Sequence, residues 1–326
     1  MLPLNMDTIR LQMNLCGKNK NPFLFAINFD ITEGIFIENA LDQQKISFQL
    51  NGIGNKSSAS VSTKSTDFKA YPISYECYEE KFKIIQKGLY RGDSFLANLT
   101  VKTPIETELS LQDIFQLSNV PYRLLVPGAF VCFSSERFVK IENGSISATP
   151  AKGTIDANIP LAEETILKDE KEMSEHVGTV DLLRNDISMV ADNVRVEKFR
   201  HVDRVKIKQR EFLQVASEIK GDLPDNYQAS LGDIIFKMLP SGSISGVPKI
   251  STSKLVEEAE KERRGYYMGV FGYFDGIKLD SAIIMPIVEQ EEDKLYFRSG
   301  EGITINSKCE NEYNEMLGKI YFPFDR

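Results

Sequence analysis

The stretch GYYMGVFGYFDGIKLDSAIIMPIVEQEEDKLYFRSG, residues 265–300, decides the fold class. It is rich in aromatic and β-branched residues broken by turn signals, and it reads as three consecutive strands. Asp275-Gly276 turns the first pair, because a tight hairpin needs residues that accept positive φ, and the acidic run EQEED turns the second. Strands that follow one another without helices between them do not fit strict βα alternation. The expected class is therefore α+β rather than a parallel Rossmann sheet.

Working outward, ENGS (142–145) turns a second expected hairpin, in which FVCFSSERFVKI is one arm and ISATPAKGT the other. FLFAINFD (23–30) and GIFIEN (34–39) read as strands near the start. The run GNKSSASVSTKSTDF (54–68) is dense in Ser, Thr and Lys and reads as a mobile loop. It would set a short N-terminal β segment, residues 1–70, apart from the main body of one domain spanning 1–326. Helices are expected over 75–92, with Phe82, Ile85 and Leu89 on one face, and over 170–192, where Met173, Val177, Val180, Arg184 and Ile187 recur at helical spacing. A last helix is expected from Ser307, with Glu310 completing a capping box.

The chain has 326 residues and a formal net charge of −8. Without a basic field to neutralise phosphates, nucleic acid is excluded as a partner. Four scattered cysteines with no C-x-x-C pair fit reduced thiols, not a disulfide framework or zinc site. No signal peptide is read at the start, and the apolar run LLVPGAFVCF is broken by Pro127-Gly128, so a cytoplasmic protein with no membrane association is expected. There are only two histidines, and no phosphate-cradling glycine motif stands in the required strand–helix context.

The carboxylates carry more. Glu175, Thr179, Leu182 and Asp186 share one helix stripe, and Glu312 and Glu315 share a face of the last helix. Two helices presenting carboxylates could hold a hard cation such as Mg²⁺, although solvated acidic faces are the commoner arrangement. PSGSISGVPK (240–249) and RSGEGIT (298–304) are small-residue runs whose amides could cradle an anion, or could be plain turns.

Six motifs stand in one order: SSERF (134–138), PAKGT (150–154), SEHVGTVDLLRNDISMV (174–190), PSGSISGVPK, RRGYYMGVFGYFDG (263–276) and GITINSKCENEYNEM (302–316). Together, from about residue 72 to the end, they resemble the chorismate-binding enzymes, and within them the aminodeoxychorismate synthases of 4-aminobenzoate and folate biosynthesis. The resemblance implies large β-sheets with helices packed outside. It implies Mg²⁺ held between Glu175 and Glu315, with Glu312 in support, and Glu136 as the general acid for the departing C4 hydroxyl. Gly153, Thr154, Gln214, Ser243, Ser245, Tyr267, Gly300 and Gly302 match substrate-binding positions.

Lys152 matches the residue that, in the aminodeoxychorismate branch, attacks the ring before ammonia enters. The anthranilate-forming branch usually has alanine there. Leu96 stands where water-adding relatives carry a lysine base. The resemblance therefore implies amination of chorismate, with ammonia delivered by a separate glutamine amidotransferase subunit. An anthranilate synthase component, or a chorismate-binding protein of weakened catalysis, are the alternatives. Three positions depart from the pattern. Pro286 replaces an arginine that grips a substrate carboxylate, Glu301 replaces a small residue between two glycines, and Gln214 replaces a histidine.

Overall fold

Among the described residues of the computed structural model every strand pairing is antiparallel, and the strands divide between a nine-stranded and an eight-stranded sheet. The structure describes residues 4–55, 64–207, 210–246 and 248–324, and the side chains of residues 152, 171, 206, 207 and 210 lie outside the described set. The antiparallel, block-wise architecture is the α+β class expected.

In the nine-stranded sheet the order runs Ala151–Asp156, Arg210–Asp222, Ser145–Ala148, Arg137–Glu142, Leu279–Ile283, Val270–Phe274, Phe23–Ile27 and Gly34–Glu38, with Asp192–Ile207 also paired to Arg210–Asp222. The eight-stranded sheet runs Ile53–Gly54, Ser47–Leu50, Tyr122–Val126, Phe130–Ser134, Ile287–Glu291, Lys294–Ile303, Ala97–Thr107 and Phe68–Ala70. Asn143 and Gly144 turn the hairpin between Arg137–Glu142 and Ser145–Ala148 at φ of 51° and 75°.

Two strand expectations need correction, for one reason. FVCFSSERFVKI is not one arm of a hairpin: Phe130–Ser134 lies in the eight-stranded sheet and Arg137–Glu142 in the nine-stranded one. Residues 265–300 likewise hold four strands, not three, because Leu279–Ile283 ends in one sheet and Ile287–Glu291 begins in the other. Pro286 marks that break, since it has no amide to continue a ladder.

The N-terminal 70 residues are not set apart. Phe23–Ile27 pairs with Val270–Phe274 over five residues, and Ser47–Leu50 pairs with Tyr122–Val126. Of the expected loop 54–68, residues 56–63 lie outside the described residues, and Phe68–Ala70 begins an edge strand. A helix that the sequence reading missed, Met6–Asn19, opens the fold. Asn5 caps it, accepting from the Asp7 amide at 2.8 Å, and Ile9, Met13 and Cys16 form its buried face.

The Tyr75–Arg91 helix is as expected. Ser74 caps it, Gly92 ends it at φ 82°, and Tyr78, Phe82, Ile85 and Leu89 are buried against Lys249–Glu260 and Ala97–Thr107. On Glu170–Ser188 the inward face is His176, Thr179, Val180, Leu183, Asp186 and Ile187, whereas Met173 and Val177 are exposed. The apolar spacing expected there is thus rotated, and the polar stripe turns inward. The last helix is Cys309–Gly318, and its expected capping box does not form: Ser307 Oγ instead accepts from the Thr304 amide.

The first helix packs close to Tyr227–Ser230 and Leu231–Met238 because Gly17 leaves room: a Cβ there would lie 2.1 Å from the Gln228 carbonyl oxygen and 2.8 Å from Leu231 Cδ1. Asn14 Oδ1 accepts from the Gly232 amide at 2.8 Å, and Arg10 reaches Asp233 at 2.9 Å across the same contact. Gly17→Ala is expected to cost about 1–3 kcal/mol by overpacking, read as a lower melting temperature. Gly178→Ala, at a helical glycine with open space around it, is expected to be neutral or to stabilise by a few tenths to about 1 kcal/mol.

Candidate active site

Two chain segments pass from one sheet to the other side by side. Phe130–Ser134 pairs with Ile287–Glu291 in the eight-stranded sheet, and the continuing strands Arg137–Glu142 and Leu279–Ile283 pair in the nine-stranded one. Between them the Phe133 amide donates to the Pro286 carbonyl at 3.3 Å, and the Ile283 amide to the Glu136 carbonyl at 3.0 Å. A cavity of about 540 Å³ opens at this crossing, lined there by Ser135, Glu136, Met285 and Pro286. That volume suits a small-molecule ligand.

One wall comes from the far end of the nine-stranded sheet. Thr154 and Gln214 are ladder partners and both reach the cavity. The register shifts between Ala151 and Thr154, so Lys152 and Gly153 form a bulge, the device that re-aims a strand next to a site. Gly153 sits at φ 79°, and a Cβ on it would meet Glu172 Oε2 at 3.2 Å. The Lys152 side chain lies outside the described set.

Glu172, Glu175 and Thr179 project into the cavity from the helix Glu170–Ser188. His176, fully buried on that helix, is 2.7 Å from Ser217 Oγ through Nε2, which ties the helix to the sheet. Asp186 Oδ2 accepts from the Gly242 amide at 2.7 Å, and its Oδ1 from Lys249 Nζ at 2.8 Å. The Gly242 amide of the PSGSISGVPK run therefore serves an internal carboxylate. Ser243 reaches the cavity, but Ser245 does not: it is buried, with Oγ 3.4 Å from the Gly246 carbonyl.

On the opposite-sheet side, Ser299, Gly300, Glu301 and Gly302 come from the strand Lys294–Ile303, and Glu312 and Glu315 from the last helix. Tyr267 is buried on the wall, and burial pushes its phenol up. Glu301, Glu312 and Glu315 bring carboxylate oxygens within 4.8 Å of one another. Glu175 lines the same cavity but is not in that group. The expectation held the cation between Glu175 and Glu315 with Glu312 in support, and all three line this cavity.

Lys319 Nζ is 2.6 Å from Glu301 Oε2 and 3.6 Å from Glu315 Oε1. Desolvation lowers the Lys319 ammonium, but Glu301 and Glu315 outweigh it and raise its pKa. Burial pushes Glu301 up to about 7, with Lys319 pulling it down and Glu315 pushing it further up. Among the described lining residues six are carboxylates (Glu136, Glu172, Glu175, Glu301, Glu312 and Glu315) and Lys319 is the one cation.

Leu96 and Pro286 both reach the cavity as apolar groups. No arginine lines it among the described residues. Arg298, across the ladder from Ile287, is committed to Glu289 at 2.6 Å and Glu262 at 3.6 Å. Sequence reasoning missed Asn98, Glu172 and Lys319 as lining residues. Lys319 had a signal, since it lies four residues after Glu315 on one helix face. Asn98, whose side chain donates to the Ile244 carbonyl at 2.7 Å, had none.

The family described as chorismate binding enzyme matches residues 13–325. An "Uncharacterized PabA-like protein" of Haemophilus influenzae is 44% identical over 318 residues, covering 96% of each chain. The aminodeoxychorismate synthase component 1 of Salmonella typhimurium is 32% identical over 259 residues, 74% of this chain and 56% of that one, so the chain spans little more than half that relative's length. In structure, MenF, the menaquinone-specific isochorismate synthase from Escherichia coli, superposes with a TM-score of 0.74 at 13% identity, over 98% of this chain and 82% of that one. That likeness is one of fold.

Glu301 links the site to stability. Its folded pKa, about 7, is above the ordinary 4.5, so the folded chain holds this proton more tightly than the unfolded one. The stabilisation is complete below pH 4.5 and is lost as pH rises through about 7. In EDTA-treated protein, Glu301→Gln is expected to remove that loss. Its melting temperature should match wild type near pH 4.5 and exceed it at pH 8, by an amount equivalent to about 1–3 kcal/mol.

Proposed function

The chain belongs to the chorismate-binding enzyme family, and from that premise we propose that it aminates chorismate at C4 to give 4-amino-4-deoxychorismate, using ammonia from a separate glutaminase subunit. The observation that carries the reading is the bulge at Lys152-Gly153, beside a cavity that Glu136, Thr154, Glu175, Glu315 and Leu96 share. Lysine at this bulge with leucine at 96 is the combination expected of an aminating member.

A dianionic substrate cannot enter a cavity with six carboxylates without added positive charge. The donor set fits a hard divalent cation: Glu301, Glu312 and Glu315 converge within 4.8 Å, and the buried Glu301 Oε1 has no hydrogen-bond partner. We assign Mg²⁺ to this region, held by Glu315 with Glu312 and Glu175 near it. When bound it supplies charge neutralisation for a substrate carboxylate.

The residues divide the chemistry. In its neutral form, the Lys152 amine bonds to a ring carbon conjugated with C4, the ring double bonds shift, and the C4–O bond breaks. Glu136 gives its proton to the departing oxygen, which leaves as water rather than hydroxide. The proton shed by the lysine nitrogen restores Glu136. Ammonia then bonds at C4, a proton passes from its nitrogen to the lysine nitrogen, the lysine–carbon bond breaks to free the neutral amine, and the double bonds return. The sum is chorismate plus ammonia to 4-amino-4-deoxychorismate plus water. Leu96 presents no base to activate water for a competing attack. Glu301, which as a bare anion would repel the substrate, is offset by Lys319, which weakens the case for lost catalysis.

Incubation with chorismate, Mg²⁺ and ammonium salt, with products read by mass, is expected to yield 4-amino-4-deoxychorismate. Pyruvate with anthranilate would replace this reading with the anthranilate-forming one, and isochorismate or no turnover would reject it. Lys152→Ala is expected to abolish the reaction. Glu136→Gln should slow it roughly 10²- to 10⁴-fold, the usual share of a general acid.

A further inference from the structure

We propose that Glu301 is a third protein carboxylate for the divalent cation, making with Glu312 and Glu315 a triad that binds the metal in the absence of substrate. The proposal rests on the reading above only in assigning a hard cation to this cavity, and nothing in the reaction requires it.

The position of Glu301 is set by its strand. Lys294–Ile303 lies between Ile287–Glu291 and Ala97–Thr107, and Glu301 faces Leu99 across the ladder. Alternation along the strand buries Ser299, Glu301 and Ile303. Glu301 is 4% exposed, yet it lines the cavity. An ionised carboxylate at such depth needs a partner for each oxygen. Lys319 serves Oε2, while Oε1 is buried with no hydrogen-bond partner.

Two carboxylates from the last helix converge on the Glu301 carboxylate. Glu312 is 2% exposed and Glu315 stands one position short of a full turn further on. One carboxylate oxygen from each of the three glutamates lies within 4.8 Å of the other two, and that closeness has a direct meaning. Oxygens on opposite sides of one hard cation lie about 4.2–5.2 Å apart for metal–oxygen distances of ~2.1–2.6 Å, and adjacent ligands lie closer. Small side-chain adjustments bring the three glutamates onto a single ion. When all three are ionised they carry −3 against the +1 of Lys319, and a dication brings that ionised cluster to neutrality where the lysine alone cannot.

Glu301 thus raises the number of protein carboxylates at the ion, and affinity for such ions follows ligand charge. The test is titration of the full-length, EDTA-treated protein with Mn²⁺ in the absence of chorismate, read by electron paramagnetic resonance of free Mn²⁺. Wild type is expected to bind one ion. Glu301→Gln and Glu301→Gly should each weaken binding about 10-fold or more, and Lys319→Met, which removes only the lysine partner, should not weaken it. Mn²⁺ affinity undiminished in both Glu301 variants overturns the proposal, as does a Lys319→Met loss equal to theirs. The two readings separate cleanly. Amination of chorismate with undiminished Mn²⁺ binding in the Glu301 variants keeps the reaction and removes the triad. Triad-dependent Mn²⁺ binding without amination keeps the triad and removes the reaction.

Discussion

The structure depends on a two-stranded ribbon that belongs to both sheets. The segments 130–142 and 279–291 each leave one sheet and enter the other at the same level, paired on both sides of the crossing. Neither can shift register alone, because a one-residue slip would turn its buried faces outward in two sheets at once. Phe133, Phe138, Val139, Ala282, Ile283 and Ile287, all buried, lock the ribbon on either side. At the crossing the backbones cannot keep both ladders continuous, and the space they leave is the cavity. Glu136 and Pro286 therefore line the cavity as a result of topology: they occupy the two points at which the ribbon changes sheets.

A second buried feature makes the opposite wall rigid. Arg264 Nη2 and Nε donate to the two oxygens of Glu260 at 2.7 and 3.0 Å, and Glu260 Oε1 also accepts from the Thr100 amide at 2.8 Å. The guanidinium lies over Phe29 at 4.6 Å and donates to the Asn98 carbonyl. A helix end, a central strand and the N-terminal region meet at this one pair. Removing either partner would leave an uncompensated buried charge, the case in which such pairs matter most. Because Asn98 is fixed on one side, its side chain can hold the Ile244 carbonyl on the other. The short helix Gly242–Ser245 is held in this way, as well as through Asp186.

How much was legible follows from where the information sits. Periodicity within one element could be read: Phe82, Ile85 and Leu89 placed a helix correctly, and Asn143-Gly144 a hairpin, because the deciding contacts are local. The sheet assignment could not, because it is set by pairing between residues some 150 apart in sequence. FVCFSSERFVKI has the composition of one strand, and only Pro286 in the partner segment hinted that both change sheets. On Glu170–Ser188 the apolar count pointed at Met173 and Val177, yet the polar stripe is what turns inward. Hydrophobic spacing reads only part of that helix, because it meets the core through Val180, Leu183 and Ile187 and the polar cavity through Glu172, Glu175 and Thr179. The candidate site was legible mainly as motif order. Glu136, Thr154, Glu175, Glu312 and Glu315 do converge on one cavity, while Ser245 stays behind the wall.

Glu301 shows why a motif departure has to be judged with its surroundings. Taken alone, a carboxylate between two glycines is adverse to the dianionic substrate proposed, and Pro286 brings no charge to offset it. The structure changes the sum, because Lys319 stands 2.6 Å from Glu301 while the last helix presents Glu312 and Glu315 to the same point. Coulomb energies in a partly buried site are a few kcal/mol per contact at an effective dielectric near 20. The sign of the local field therefore turns on single charges. A cluster of −3 and +1 repels an anion, whereas the same cluster holding a dication presents none of that charge. In the proposed metal-bound state, Glu301 would thus be a ligand that helps cancel the cluster's charge rather than a bare anion facing the substrate.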